Sequence, residues 1–230
     1  MDWLIGLAIF ILVLTLIVII GKRANVADWD SSVINVIDGW MRIYCRRYHR
    51  LEHDPLELPE EGGVLVVSNH VSGLEPLIKL TACKRPLRYL IAKEEYDIPI
   101  LHYLLRGVGC IPVERTTRPE IAFRAAIKAL KNGEAIAIYP HGGFCLDDED
   151  KAVKGGVLRL AKLTGAKIVP TRVTGIRKPG NSFIPLFLRG RVKLQVFPTL
   201  DVDFAERPDA KQQLGDLLLG KIPAIENSSD

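Results

Sequence analysis

The chain opens on an uninterrupted apolar run and then changes to alternating apolar and polar blocks. Residues 3–20 carry no charge, and only Gly6 and Thr15 break the aliphatic and aromatic sequence. As a helix at about 1.5 Å per residue that run reaches ~27 Å, close to the hydrocarbon thickness of a bilayer, so it predicts a membrane anchor over 1–23. A cleaved signal peptide is the alternative reading. It lacks a basic leading region, and Lys22 and Arg23 stand where a cleavage region is small and uncharged. With the basic pair on its C-terminal side, the anchor places the rest of the chain in the cytoplasm, as a single span or as an interfacial helix in one leaflet.

Over 31–50, Val33, Val36, Ile37, Trp40, Met41, Tyr44 and Tyr48 recur three or four positions apart, while Arg42, Arg46, Arg47, His49 and Arg50 crowd the second half. This predicts a basic amphipathic helix in a 24–58 segment lying at an anionic membrane surface, so lipid phosphate rather than nucleic acid is its nearer partner. The competing reading is a helix packed on the core with its arginines in water. Pro59-Glu60-Glu61-Gly62-Gly63 is a turn that opens a domain over 59–225. Apolar runs predict strands at 64–68, 87–92, 109–113, 134–139, 167–173 and 191–197. Helical patterns fall between them at 76–82, 99–106, 119–131, 155–164 and 208–219. The alternation predicts an α/β fold with a mixed, largely parallel sheet flanked by helices, and residues 226–230 read as a flexible tail.

Composition adds little to this picture. With 230 residues, 48% of them hydrophobic and 25% charged, the chain suits one domain plus an apolar extension, and its net charge of +4 is modest. The four cysteines are scattered, without Cys-x-x-Cys or His/Cys spacing suited to a metal, and read as reduced packing residues.

Candidate chemistry gathers at Asn69-His70-Val71-Ser72-Gly73-Leu74-Glu75-Pro76, where a β-branched run ends and a helix begins. Open α/β sheets place their sites there, outside the carboxyl ends of strands. On one continuous helix His70 and Glu75 would point roughly 140° apart, so they meet only across a turn. Gly73 permits unusual backbone angles, and Pro76 favours an extended Glu75 followed by a helix start. A carboxylate that fixes the tautomer of a histidine makes it a general base. The bland alternative is a loop histidine beside a solvated glutamate.

The pattern Asn-His-x-Ser-x-x-acid resembles the first motif of the glycerolipid acyltransferase family, the membrane-bound group that includes 1-acylglycerol-3-phosphate acyltransferases. There the acid is usually Asp, whereas the related lipid A acyltransferases accept either acid. Gly109-Cys110-Ile111-Pro112-Val113-Glu114-Arg115 resembles the second motif, and Lys167-Ile168-Val169-Pro170-Thr171 the fourth. Val153-Lys154-Gly155 with Ala161 is similar to the family's Lys-Lys-Gly segment. Tyr139-Pro140-His141-Gly142-Gly143-Phe144 occupies the place of the third motif, Phe-Pro-Glu-Gly-Thr-Arg-Ser, but His141 replaces its Glu and Phe144 its Arg. The loss of both charges points toward an acceptor with a less anionic head group.

The resemblance implies an O-acyltransferase that moves a fatty acyl group from acyl-coenzyme A or acyl carrier protein to the hydroxyl of a lyso-lipid, with no metal or organic cofactor. His70 would be the base and Glu75 its partner, with Asn69, Ser72, Arg115, His141, Gly142, Gly143 and Lys154 as substrate-binding residues. Amides of the 71–73 loop are expected to steady the oxyanion. A serine hydrolase is disfavoured, because Gly-x-Ser-x-Gly is absent and Ser72 lies in the same tight loop as His70, where it suits loop capping. A non-catalytic lipid-binding protein of the same fold is the reading from a different class.

Overall fold

Two features of 64–68 make it the centre of the molecule: every residue is buried, and alternate side chains feed different cores. In the computed structural model, which describes residues 2–114, 118–146, 149 and 151–225, helices α1 (Asp2–Ala24) and α2 (Ser32–Arg47) lead into strands β1 (Glu52–His53) and β2 (Val64–Ser68). Then follow α3 (Glu75–Ala82), β3 (Leu87–Ala92), α4 (Lys93–Tyr96), α5 (Pro99–Gly107), β4 (Ile111–Val113), α6 (Pro119–Lys131) and β5 (Ala135–Ile138). The chain continues through α7 (Gly156–Thr164), β6 (Lys167–Thr174), α8 (Ile184–Phe187), β7 (Lys193–Val196), α9 (Val202–Glu206) and α10 (Ala210–Leu219).

The strands form one sheet in the order β1-β7-β6-β2-β5-β3-β4. All pairs are parallel except β6 with β7, so the expected mixed, largely parallel α/β sheet is what forms. Leu65 and Val67 face a core closed by α6, α7, α9 and α10, while Val64 and Val66 face a second core that includes Leu74 and Ile78 of the α3 region. Because β5 and β6 flank β2, the chain leaves β2 at a point where its connections diverge, which is where such sheets open a crevice.

The N-terminal helix is long and apolar enough to cross a membrane, and its apolar side chains are exposed. Its end crosses α2 where Gly21 meets Gly39, and Trp40 Nε1 donates to the Ile17 carbonyl at 3.0 Å. The residues that α2 buries differ from the apolar stripe that its periodicity marks. Its buried positions are Ile34, Asp38, Gly39, Arg42 and Cys45, while Val33 and Tyr48 are exposed and Val36, Ile37, Trp40, Met41 and Tyr44 are half-buried. Arg42 pairs with Asp38 (2.5 Å) and donates to the Thr81 and Cys83 carbonyls (both 2.9 Å), capping the C-terminal end of α3. His49 is also buried, against the Tyr44 hydroxyl at 2.9 Å, so only Arg46, Arg47 and Arg50 of that basic set face outward. Hydrophobic periodicity misses a stripe whose charges neutralise each other. The four cysteines are buried, and among the described residues none is joined to another in a disulfide. Residues 226–230, read as a tail, lie outside the described residues.

Candidate active site

Beyond Ser68 the backbone turns away, and Asn69 continues the β2–β6 pairing with its side chain. Its Nδ2 donates to the Val173 carbonyl and its Oδ1 accepts from the Val173 amide, both at 2.8 Å. His70 is thereby held at the carboxyl end of β2. Helix α3 begins at Glu75 rather than at Pro76, so Glu75 is helical and not extended. Its buried carboxylate reaches back over the turn: Oε1 accepts the Val71 and Ser72 amides at 2.7 and 2.8 Å, and Oε2 lies 3.2 Å from His70 Nδ1. With a carboxylate at Nδ1, that nitrogen carries the proton and donates it, leaving the Nε2 lone pair free as a base.

The His70 side chain retains 19% of its exposure, so one ring edge remains open while Glu75 is closed off. Its faces are covered by residues from the loop after β5. Tyr139 stacks on it with ring centres 3.9 Å apart and planes 18° apart, and Phe144 leans on it at 4.6 Å. Cys145 donates its amide to the His70 carbonyl at 2.7 Å. The divergent third motif therefore builds the walls around the first. His141 is buried beside this cluster, with no partner at either ring nitrogen among the described residues. Burial lowers its tendency to take a proton, and the Lys151 and His70 charges push the same way.

Gly142 has φ +76°, a backbone that a side chain would strain, and Lys154 Nζ lies over the space a Cβ would fill. The Lys154 amide donates to the Pro140 carbonyl at 2.8 Å, and Lys151 Nζ donates to the Phe144 carbonyl at 3.2 Å. Two lysines from the following segment thus sit against the Gly142-Gly143 turn. Arg115 lies outside the described residues.

Three expectations change here. Asn69 and Ser72, read as substrate-binding, are buried framework: Asn69 is engaged with β6, and Ser72 Oγ accepts the Leu74 amide at 3.0 Å. The amides of Val71 and Ser72 are taken by Glu75, and that of Gly73 points to the Asn181 carbonyl, so the expected oxyanion donors are occupied. Gly73 matters for close approach rather than unusual angles, because a Cβ there would overlap the Ser182 carbonyl. The sequence also gave no sign of Lys79, which is fully buried at this site. Among the described residues no three His, Cys, Asp or Glu side chains are grouped to hold a metal ion.

The fold and site define the class: an α/β domain that presents a carboxylate-bound imidazole at the carboxyl ends of its central strands. The chain belongs to the acyltransferase family, whose model matches residues 49–174. It is 29% identical over 205 residues to the 1-acyl-sn-glycerol-3-phosphate acyltransferase of Bacillus subtilis, covering 86% of this chain and 94% of that one. A match of 28% identity to the enzyme of the same name from Borreliella burgdorferi covers 63% of this chain and 59% of the relative. The crystal structure of the 1-acyl-sn-glycerophosphate acyltransferase PlsC from Thermotoga maritima shares the fold, with a TM-score of 0.65, 18% identity, and coverage of 84% of this chain and 81% of that one.

Proposed function

We propose that this O-acyltransferase moves a fatty acyl group from a thioester carrier, coenzyme A or acyl carrier protein, to the hydroxyl of a lysophosphatidate-type lyso-lipid. The observation that carries the reading is His70, held through Nδ1 by Glu75 while its side chain stays partly exposed. In this mechanism His70 Nε2 takes the acceptor's hydroxyl proton as the oxygen bonds to the thioester carbonyl carbon. The tetrahedral intermediate then collapses, the C–S bond breaks, and the imidazolium returns the proton to the leaving thiolate. Glu75 keeps the tautomer and offsets the charge that forms on the ring.

The acceptor class is supported by the activity for which the relatives are named and by charge. Lys154 and Lys151 supply cations beside Gly142 and Gly143, where the third-motif loop carries none. His141, in the same loop, is buried and underlies it. The exposed apolar helix α1 serves as the anchor, with Lys22, Arg23 and the catalytic domain on the cytoplasmic side, and Arg46, Arg47 and Arg50 face anionic lipid.

The test is thiol release by the detergent-solubilised full-length protein, given either acyl donor and lysophosphatidate or lysophosphatidylcholine. Lysophosphatidate is the expected acceptor, and absence of release with either donor removes the reading. In Lys154→Ala, whose backbone bond to Pro140 survives, KM for lysophosphatidate is expected to rise roughly fivefold to tenfold with kcat little changed. An unchanged KM takes Lys154 out of the acceptor site.

A further inference from the structure

The site contains an ionisable group that the mechanism above leaves unused. Lys79 lies one turn along α3 from Glu75 and is fully buried, and its Nζ has no hydrogen-bond partner among the described residues. The amine sits 4.3 Å from the centre of the Tyr139 ring, the same ring that stacks on His70 at 3.9 Å. Two groups that close to one ring centre occupy opposite faces, so Tyr139 is sandwiched between the imidazole and the amine. A cation is favoured over an aromatic face, yet burying an amine without hydrogen bonds costs more than burying an apolar side chain in the same space. Packing alone does not account for a lysine here.

We propose that Lys79 is a positioning residue of the acyl transfer: from beneath Tyr139 it offsets the Glu75 charge felt by His70 and so keeps the imidazole unprotonated and available as the base. The proposal rests on the reading of His70 as the general base. Burial pulls the Lys79 amine down to about 7, against the opposing attraction of the Glu75 carboxylate, so it changes charge in the range where the enzyme works.

Other groups around α3 do not compete for this role. Asp38 and Arg42, presented by α2, are bound to each other. Burial raises the Cys45 thiol to about 11 and pushes Cys83 up, so both stay neutral. The hydroxyls of Tyr89, which donates to the Pro76 carbonyl at 2.8 Å, and of Tyr139 are pushed well above their usual range and stay protonated. His141 is disfavoured as a cation by burial. Glu75 and His70 are the partners that remain.

The experiment is the pH profile of kcat/KM for wild type, Lys79→Met and His70→Ala in the thiol-release assay, with thermal unfolding beside it. Without the amine, His70 feels the full Glu75 charge and holds a proton to higher pH. The acidic limb of Lys79→Met is therefore expected to move up by about one pH unit, with kcat/KM roughly threefold to tenfold lower at pH 7 and within about twofold of wild type at pH 9. Stability should move the other way. The unfolded amine holds its proton to about 10.5 and the folded one only to about 7, so wild-type stability climbs with pH across that window. Lys79→Met is expected to melt several degrees higher at pH 7 and to lack that climb.

A folded Lys79→Met whose pH profile superimposes on wild type, while His70→Ala is inactive, overturns the inference and leaves His70 as the base. Full activity in His70→Ala removes the base assignment itself. Should Lys79→Met fail to fold, the ring-nitrogen NMR titration of His70 in the wild-type protein decides. An inflection near pH 7 from Lys79, beside the His70 inflection, supports the proposal, and a single inflection overturns it.

Discussion

His70→Ala is expected to lower kcat for acyl transfer by about a thousandfold while shifting the melting temperature by only a few degrees. The variant removes the partly exposed imidazole but leaves Glu75 holding the Val71 and Ser72 amides, so the loop keeps its shape. Glu75→Gln tests the same pair from the other side. An amide still offers one oxygen to the two backbone N–H groups, but its nitrogen then faces His70 Nδ1 as a donor. The ring answers by carrying its proton on Nε2, where it no longer serves as a base, and kcat should fall by about 10²–10³-fold. Steady-state thiol release with circular dichroism on each variant checks both. More than a tenth of wild-type kcat in folded His70→Ala would show that another group takes the proton.

The second large effect lies away from the chemistry. Arg42→Met leaves Asp38 buried without its cation and the Thr81 and Cys83 carbonyls without their donors, and should destabilise the protein by about 3–5 kcal/mol. Against a typical total of about 5–15 kcal/mol, that approaches the stability of a domain. Replacing both partners, Asp38→Leu with Arg42→Met, removes the orphaned charge and is expected to recover most of the loss. Urea unfolding of the two variants in detergent measures this. A loss below about 1 kcal/mol in the single variant would mean that water reaches Asp38. Because Arg42 caps the end of the helix whose first residue is Glu75, the same bond ties α2 to the element that holds His70.

Much of this arrangement is legible in the residues. Strands β2 and β3 form where 64–68 and 87–92 were expected, and α6 spans the expected 119–131. Each is an unbroken apolar or strongly periodic segment between turn or helix-start residues, so local preference and final burial agree. The spacing of His70 and Glu75 about Gly73 and Pro76 already required a turn that lets them meet. Short elements are another matter. Strand β1 is two residues, one charged, and exists because β7 runs beside it. Helix α8 is held by the Tyr44 and Tyr48 hydroxyls on the Leu186 and Phe187 carbonyls, contacts made across more than a hundred residues of chain.

The sequence by itself determined the central strands, the alternating α/β order, the apolar first helix and the His70–Glu75 pair, because each depends on interactions within a few residues or on periodicity along one segment. Tertiary structure alone decided which charges are buried. Arg42 and Lys79 look like surface residues on amphipathic helices until α2 docks on α3 and Tyr139 closes over the amine. It also decided that the amides of Val71 and Ser72 serve Glu75, and that lysines 151 and 154 stand where the third-motif loop lacks a cation. The physical reason is common to these cases: whether a polar group is solvated, paired or stranded depends on what segments distant in the chain place against it, and no local pattern records that.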